Sequence, residues 1–248
     1  MAPRRGVASD AMDLGLAGKV ALVTAASKGL GRASAKALVD EGASVAINSR
    51  DPDALRATAA ELGGEVLAIP ADVTEPDAPR RLVEATVERF GALHVVVGNA
   101  GGPPKGRALE VDDATLLEAI NANLLTSVRL VRAALPHMRA AGWGRICLIA
   151  SSSVKQPIPD LTTSNTARAG LLGWAKTAAQ DLMGEGITLN LACPGLHATD
   201  RVKELGFSGR LGDPADFGRV VAFLCSQHAG FLSGVALQVD GASTLGLL

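Results

Sequence analysis

Lys19–Gly31 reads KVALVTAASKGLG. Five of its first six residues are apolar or β-branched and none is Gly or Pro, as a strand buried on both faces requires. A turn of small residues follows, with Gly29 and Gly31 inside it, and then the Ala-rich helical stretch RASAKALVDEG. Strand, small-residue turn and helix in this order make a nucleotide phosphate site. Small residues let the backbone come close to a pyrophosphate, and the free N–H groups of the helix start point at it. If the turn holds Ala25 at positive φ, alanine costs about 1 kcal/mol against glycine; at negative φ it costs nothing.

Outward from this unit, strand and helix alternate with no long linker. Ala43–Ser49 reads as a strand. Asp51 and Pro52 start a helix that runs to Leu62, with Asp as cap and Pro in the first turn. Glu65–Ala71 is a strand, Thr74 caps a helix to Phe90, and Leu93–Gly98 is a strand. A long helix starts at Asp112 or Asp113 and ends at Ala141. Gly144–Ala150 is a strand, Leu161–Met183 a helix, Ile187–Leu191 a strand, Asp213–Gln227 a helix and Val235–Val239 a strand. Repeated βα units with near-continuous apolar strands predict one α/β domain over 14–248. It is doubly wound and Rossmann-like, with a parallel seven-stranded sheet and helices on both faces. Residues 1–13 read as a flexible N-terminal tail; Arg4 and Arg5 are there, but not the apolar stretch of a signal peptide.

Composition narrows the function. The 248 residues carry a net charge of −1, which gives no basic field for nucleic acid or an anionic membrane. No apolar run approaches the ~18 residues of a membrane span. Cys147, Cys193 and Cys225 are widely spaced, with no CxxC or His/Cys cluster, so no metal site is expected and the thiols read as reduced core residues of a cytoplasmic protein. There is no Tyr at all. Ligands of doubly wound sheets bind at the carboxyl ends of the strands. Here those loops are Thr24–Gly31, Asn48–Arg50, Asp72-Val73, Asn99–Gly106, Ser151–Pro159 and Pro194–Gly206.

Thr24-Ala25-Ala26-Ser27-Lys28-Gly29-Leu30-Gly31 resembles the T-G-x-x-x-G-x-G loop of the short-chain dehydrogenase/reductase family, with Ala25 at the first glycine. Asp72-Val73 falls where members contact adenine. Asn99-Ala100-Gly101 matches the N-A-G motif, and Pro194-Gly195 with Thr199 matches P-G-x-x-x-T, which covers nicotinamide and pyrophosphate. Val239-Asp240-Gly241 matches the V-D-G motif. The resemblance spans the chain from about Leu16 and points to the 3-oxoacyl-(acyl-carrier-protein) reductase-like members. It implies a coenzyme-binding oxidoreductase, and a homotetramer or dimer paired through the long helices and the last strand. The face Ala167, Gly170, Leu171, Trp174 and Ala178 suits such pairing. Trp143 and Trp174 read as helix residues away from the pocket.

The coenzyme expected is NADP(H) before NAD(H). An NAD site wants an acid at the end of the second strand; Asn48-Ser49-Arg50 has none, and Asp51 looks like a helix cap. Arg50 offers a planar fork for a 2′-phosphate, Ser49 a hydroxyl, and Lys28 lies within reach.

The chemistry departs from the family. Members use a Tyr hydroxyl as acid or base, a Lys four residues on, a Ser about thirteen residues upstream that holds the carbonyl oxygen, and a helix Asn that holds a water. By resemblance the Ser is Ser151 and the Asn is Asn123, which sits mid-helix where an Asn needs a reason; Asn121 is the weaker alternative. The Tyr position is Ser164 and the Lys position Arg168. Arg168 can hold ribose hydroxyls but cannot give up a proton. Three donors stand in for the phenol. Lys155, close after Ser151, becomes a competent acid if buried. His197 suits proton transfer near neutral pH, although its position matches one where the family's backbone touches the carboxamide. The third is a water held by Ser151 and Ser164. Hydride transfer to a small carbonyl or alcohol substrate with such a donor leads; non-redox chemistry on a bound coenzyme (dehydration, isomerisation or cyclisation) and an inactive nucleotide-binding protein are the alternatives.

Overall fold

The computed structural model describes residues 12–204, 206–207 and 209–246. Seven strands form one parallel sheet: β1 (Val20–Val23), β2 (Ser44–Ser49), β3 (Val66–Pro70), β4 (Val95–Gly98), β5 (Gly144–Ile149), β6 (Ile187–Pro194) and β7 (Ala236–Val239). Their order is β3-β2-β1-β4-β5-β6-β7, so the strand order reverses between β1 and β4 while all strands stay parallel. The helices are α1 (Gly29–Asp40), α2 (Pro52–Leu62), α3 (Ala78–Phe90), α4 (Asp113–Ile120), α5 (Thr126–Ala141), α6 (Thr162–Asp181), α7 (Asp200–Glu204) and α8 (Pro214–Leu224).

Each strand feeds two cores because its side chains alternate across the sheet. Ala21, Val23, Val95 and Val97 face α1, α2 and α8, where Leu38, Leu55, Phe217 and Val221 pack. Leu22 and Val96 face α3, α5 and α6, against Leu82, Leu130, Met138 and Leu171. On the first side α1 and α8 approach closely: a Cβ at Gly218 would run into the Ala33 carbonyl.

Several boundaries differ from the sequence reading. Thr74 does not cap α3; the helix starts four residues later, after Asp77, because Thr74 is drawn back into a turn by Asp72. The long helix is continuous through Ala141, but Asn121–Leu125 widens into a π-turn. β6 runs on to Pro194. α8 ends at Leu224, and a 3₁₀ turn follows at Gln227–Ala229. Trp143 is not on a helix but in the turn into β5, between Lys19 and Arg145, with Nζ and Cζ 4.5 and 4.3 Å from its ring. The expected pairing face of α6 is split: Ala167 and Leu171 are buried in the chain's own core, Trp174 and Ala178 are half-buried against it, and Gly170 is exposed. Of the expected tail, residues 1–11 lie outside the described residues; Asp13 is held by Gln227 and His228 through its carbonyl, at 3.1 and 2.8 Å. All three cysteines are free and buried.

Candidate coenzyme and active site

The turn after β1 is tied to both neighbouring strands. Thr24 is buried; its hydroxyl donates to the Asn99 carbonyl at 2.7 Å and accepts the Asn99 N–H at 2.8 Å. Asn99 Nδ2 donates to the Ala25 carbonyl at 3.2 Å, and the Ala26 N–H donates to the Asn48 carbonyl at 2.8 Å. Thr58 Oγ1 donates to the Ser27 carbonyl at 2.9 Å. This lacing bends Ala25 to φ 47° and Gly29 to φ 59°. Gly31 has no room for a side chain: a Cβ there would strike the Ala25 carbonyl and sit 2.8 Å from Asn99 Nδ2. Lys28 is the N-cap of α1 yet caps nothing with its side chain, and the first turn of the helix carries no acid. The orphan N–H groups are therefore available to an anion. Thr199 overhangs the same turn, its Cγ2 3.6 Å from where a Cβ on Gly29 would lie.

At the β2 end, Asp51 caps α2 as expected, its Oδ1 accepting the Asp53 and Ala54 N–H groups at 3.0 and 3.1 Å. No acid is left to face a ribose there. The Arg50 side chain is 81% exposed, its Nη1 4.0 Å from Asp72 Oδ2, and Lys28 is exposed too. Ser49 differs from expectation: its hydroxyl donates inward, to the Asp51 carbonyl at 3.1 Å. Asp72 accepts the Thr74 N–H at 2.9 Å and the Thr74 hydroxyl at 2.8 Å. That backbone N–H, with help from the hydroxyl and Arg50, holds its carboxyl below the usual range against the opposing effect of burial. Asn48 fixes the next loop, donating to the Ile69 and Ala71 carbonyls, both at 3.0 Å.

Ser151 ends β5 and caps a 3₁₀ turn at Ser152–Val154, its Oγ accepting the Ser153 N–H at 3.1 Å. Ser164 and Arg168, one turn apart on α6, are 7% and 8% exposed. The Arg168 guanidinium donates to the Ile149 carbonyl at 2.9 Å and to Asn123 Oδ1 at 3.1 Å. Its desolvation lowers its pKa to about 10, and the nearby Arg201 pushes the same way. Asn123 is 2% exposed and sits in the π-turn, with Nδ2 3.4 Å from the Ala119 carbonyl. Asn121 is engaged elsewhere, donating to the Thr74 carbonyl at 3.0 Å and accepting from Arg129 at 2.7 Å. Arg168 thus ties Asn123 to the end of β5, two residues before Ser151.

Of the candidate donors, Lys155 follows the 3₁₀ turn with an exposed side chain, whereas an acid role calls for burial. The His197 ring is buried: it meets Phe217 edge-on at 5.2 Å, packs on Gly212, and has Nδ1 3.3 Å from the Gly195 carbonyl. A cavity of about 660 Å³ lies along α1, α8 and the 198–203 segment; it reaches Gly29 and Thr199 but not Ser151.

Some contacts lay beyond sequence reasoning. Thr163 Oγ1 donates to the Pro104 carbonyl at 2.7 Å, and the Gly106 N–H donates to the Asp160 carbonyl at 2.8 Å, stitching the 99–106 loop to the start of α6. The Leu245 N–H donates to Gln156 Oε1 at 2.8 Å. Arg201 lies against Gly102 so closely that a Cβ there would collide with the guanidinium. Gly102 itself was the available signal, a second glycine directly after Asn99-Ala100-Gly101.

The profile of the enoyl-(acyl carrier protein) reductase family matches residues 24–244. The 3-oxoacyl-(acyl-carrier-protein) reductase FabG of Haemophilus influenzae is 32% identical over 235 residues, 90% of this chain and 97% of its own. Human dehydrogenase/reductase SDR family member 4 is 31% identical over 245 residues, 92% of this chain and 88% of its own. Among solved structures, L-sorbose reductase from Gluconobacter frateurii complexed with NADPH and L-sorbose superposes with a TM-score of 0.87 at 31% identity, covering 93% of this chain and 98% of that one.

Proposed function

The chain belongs to the short-chain dehydrogenase/reductase family, and from that premise we propose that it is an NADP(H)-dependent oxidoreductase of a carbonyl or alcohol substrate whose proton donor is not a tyrosine. The observation that carries this reading is the uncapped, acid-free N-terminus of α1 beneath a turn with no room for a Cβ at Gly31. The same cradle satisfies the fit of a dinucleotide. Thr24, Ala26, Ser27, Gly29, Leu30 and Gly31 would line its pyrophosphate. Arg50, with Lys28, would meet a 2′-phosphate, and Ser49, whose hydroxyl turns to the Asp51 carbonyl, would have to exchange that partner to join them; the exposure of Arg50 and the use of Asp51 as a cap support NADP(H) over NAD(H). Asp72 and Val73 would face the adenine. Asn99, Ala100, Gly101, Pro194, Gly195, the His197 backbone and Thr199 would enclose the nicotinamide end, and Arg168 would reach its ribose.

When bound, the coenzyme supplies or accepts a hydride. This chain's part is to hold the oxygen on which charge develops and to settle a proton there. Ser151 donates a hydrogen bond to that oxygen. Arg168, charged at neutral pH and fixed by Asn123, adds a positive field from below. With Lys155 exposed and the His197 ring packed on Phe217 and Gly212, a water between Ser151 and Ser164 is the donor we favour. The lack of any Tyr favours one second reading, in which coenzyme binds and hydride does not move. Three buried free thiols support a cytoplasmic location. Exposed Leu117, Leu125, Phe231 and Leu232 support association into a homo-oligomer.

Titration of NADPH and NADH, followed by the emission of the reduced nicotinamide, tests the coenzyme. Expected is tighter binding of NADPH, a loss of about tenfold or more for NADPH in Arg50→Ala, and little change for NADH. Equal affinities overturn the assignment. Loss of NADPH absorbance with ketones, quinones or β-ketoacyl thioesters then separates redox chemistry from binding alone.

A further inference from the structure

Three cations stand at the carboxyl ends of three adjacent strands. Arg201 lies against Gly102 after β4, Lys155 follows the turn after β5, and Arg168 is buried beneath the end of β5. The strands concerned, β4, β5 and β6, are neighbours in the sheet. Among the described residues none of the three cations is within ion-pair distance of a carboxylate, although most other arginines of the chain are; Lys203, two residues from Arg201, pairs with Asp200 at 3.7 Å. Their fields overlap. The Arg201 charge disfavours that of Arg168, and both Arg168 and Lys155 act on the Cys193 thiol at the end of β6. Arg168 uses two of its five donors, on Ile149 and Asn123.

A buried guanidinium without a counter-ion is costly, and the Arg201 charge adds repulsion. A ligand anion relieves both. Gly102 makes room for the Arg201 fork to reach in from α7, where any side chain would exclude it. Two acids at the carboxyl end of the sheet are spoken for: Asp240 is ringed by Ala242, Ser243 and Thr244, and Asp72 by Thr74.

We propose that the substrate of this site is an oxo acid or the corresponding hydroxy acid, its carboxylate received by Arg201 and Lys155 over Arg168, with its reacting carbonyl towards Ser151. The inference rests on the functional reading above for the reacting carbonyl, and on the cation cluster alone for the carboxylate.

The test compares pyruvate and acetoacetate with their methyl esters, by calorimetric titration of the full chain with and without saturating NADP⁺. Expected is at least about tenfold tighter binding of acid than of ester, as a charge-assisted hydrogen bond supplies. That preference should fall towards unity in Arg201→Gln combined with Lys155→Gln, both exposed positions that leave the fold alone. Equal binding of acid and ester overturns the proposal. So does failure of either acid to bind, or a preference that survives in the double variant. Discrimination that persists in a chain with no affinity for NADP⁺ sinks the coenzyme reading and leaves this one standing; tight coenzyme binding without discrimination does the reverse.

Discussion

Ala25 shows how far one residue can be read. Its place at the first glycine of the turn is plain from the sequence, and so are the two possible costs; the sign of φ is not, because it is set by Asn99 and Asn48 reaching in from β4 and β2. At φ 47° the alanine is strained. Ala25→Gly should therefore raise stability by about 0.5–1 kcal/mol, partly offset by glycine's freedom in the unfolded chain. The check is a higher urea midpoint at unchanged slope. Asn123 carries the opposite expectation. Asn123→Ala leaves a buried Arg168 donor unpaired and should cost about 1–3 kcal/mol, read in the same unfolding experiment; a smaller loss means the guanidinium finds another acceptor. Ser164 and Arg168 were found by counting from Ser151, and both land on one buried face of α6. Ser164→Tyr with Arg168→Lys should create or raise reductase activity with NADPH, and a chain that folds, binds NADPH and stays inert refutes the register.

Elements were legible where the signal is local. Asp51-Pro52 announced α2 and the structure puts the cap there; Asp51→Ala should cost about 1 kcal/mol of stability. The start of α3 was misplaced because Thr74 and Asp77 are both plausible caps, and the choice falls to a side-chain pair, Asp72 with Thr74, that no helix pattern encodes. That pair has a pH signature. The folded Asp72 carboxyl lies below its unfolded value of 3.8, so its contribution is complete above that value and disappears as pH falls through the lower folded one. In Asp72→Asn the acid limb of a stability–pH profile should be shallower, and an unchanged limb rules the contribution out. The π-turn at Asn121–Leu125 answers the question posed by an Asn in mid-helix. The widened turn seats Asn123 against Arg168, a partner 45 residues away that local pattern cannot supply.

For the whole molecule, the order of βα units carried most of the architecture, since parallel strands with right-handed crossovers leave few topologies. What the pattern could not give was the direction in which each long side chain turns at the sheet's carboxyl end. Lys155, His197 and Arg201 all sit on the expected loops, yet one points to solvent, one into the α8 core and one across to Gly102. Association belongs to this scale as well. The groove between α5 and α6 is lined by Leu135, Trp174 and Ala178 and is open on the surface of a single chain. Sizing chromatography should give a species larger than the monomer, and Trp174→Glu should shift it towards one chain.

The two tryptophans also divide the optical labour. Trp143 is clasped between Lys19 and Arg145 at the amino edge of the sheet, remote from Ser151. Its indole emission will register global denaturation and stay silent while ligands come and go. Trp174, on α6 at the α5–α6 groove, should instead brighten or dim on dilution if copies pair through that groove, so a spectrum resolved into its two components would report folding and the proposed assembly separately.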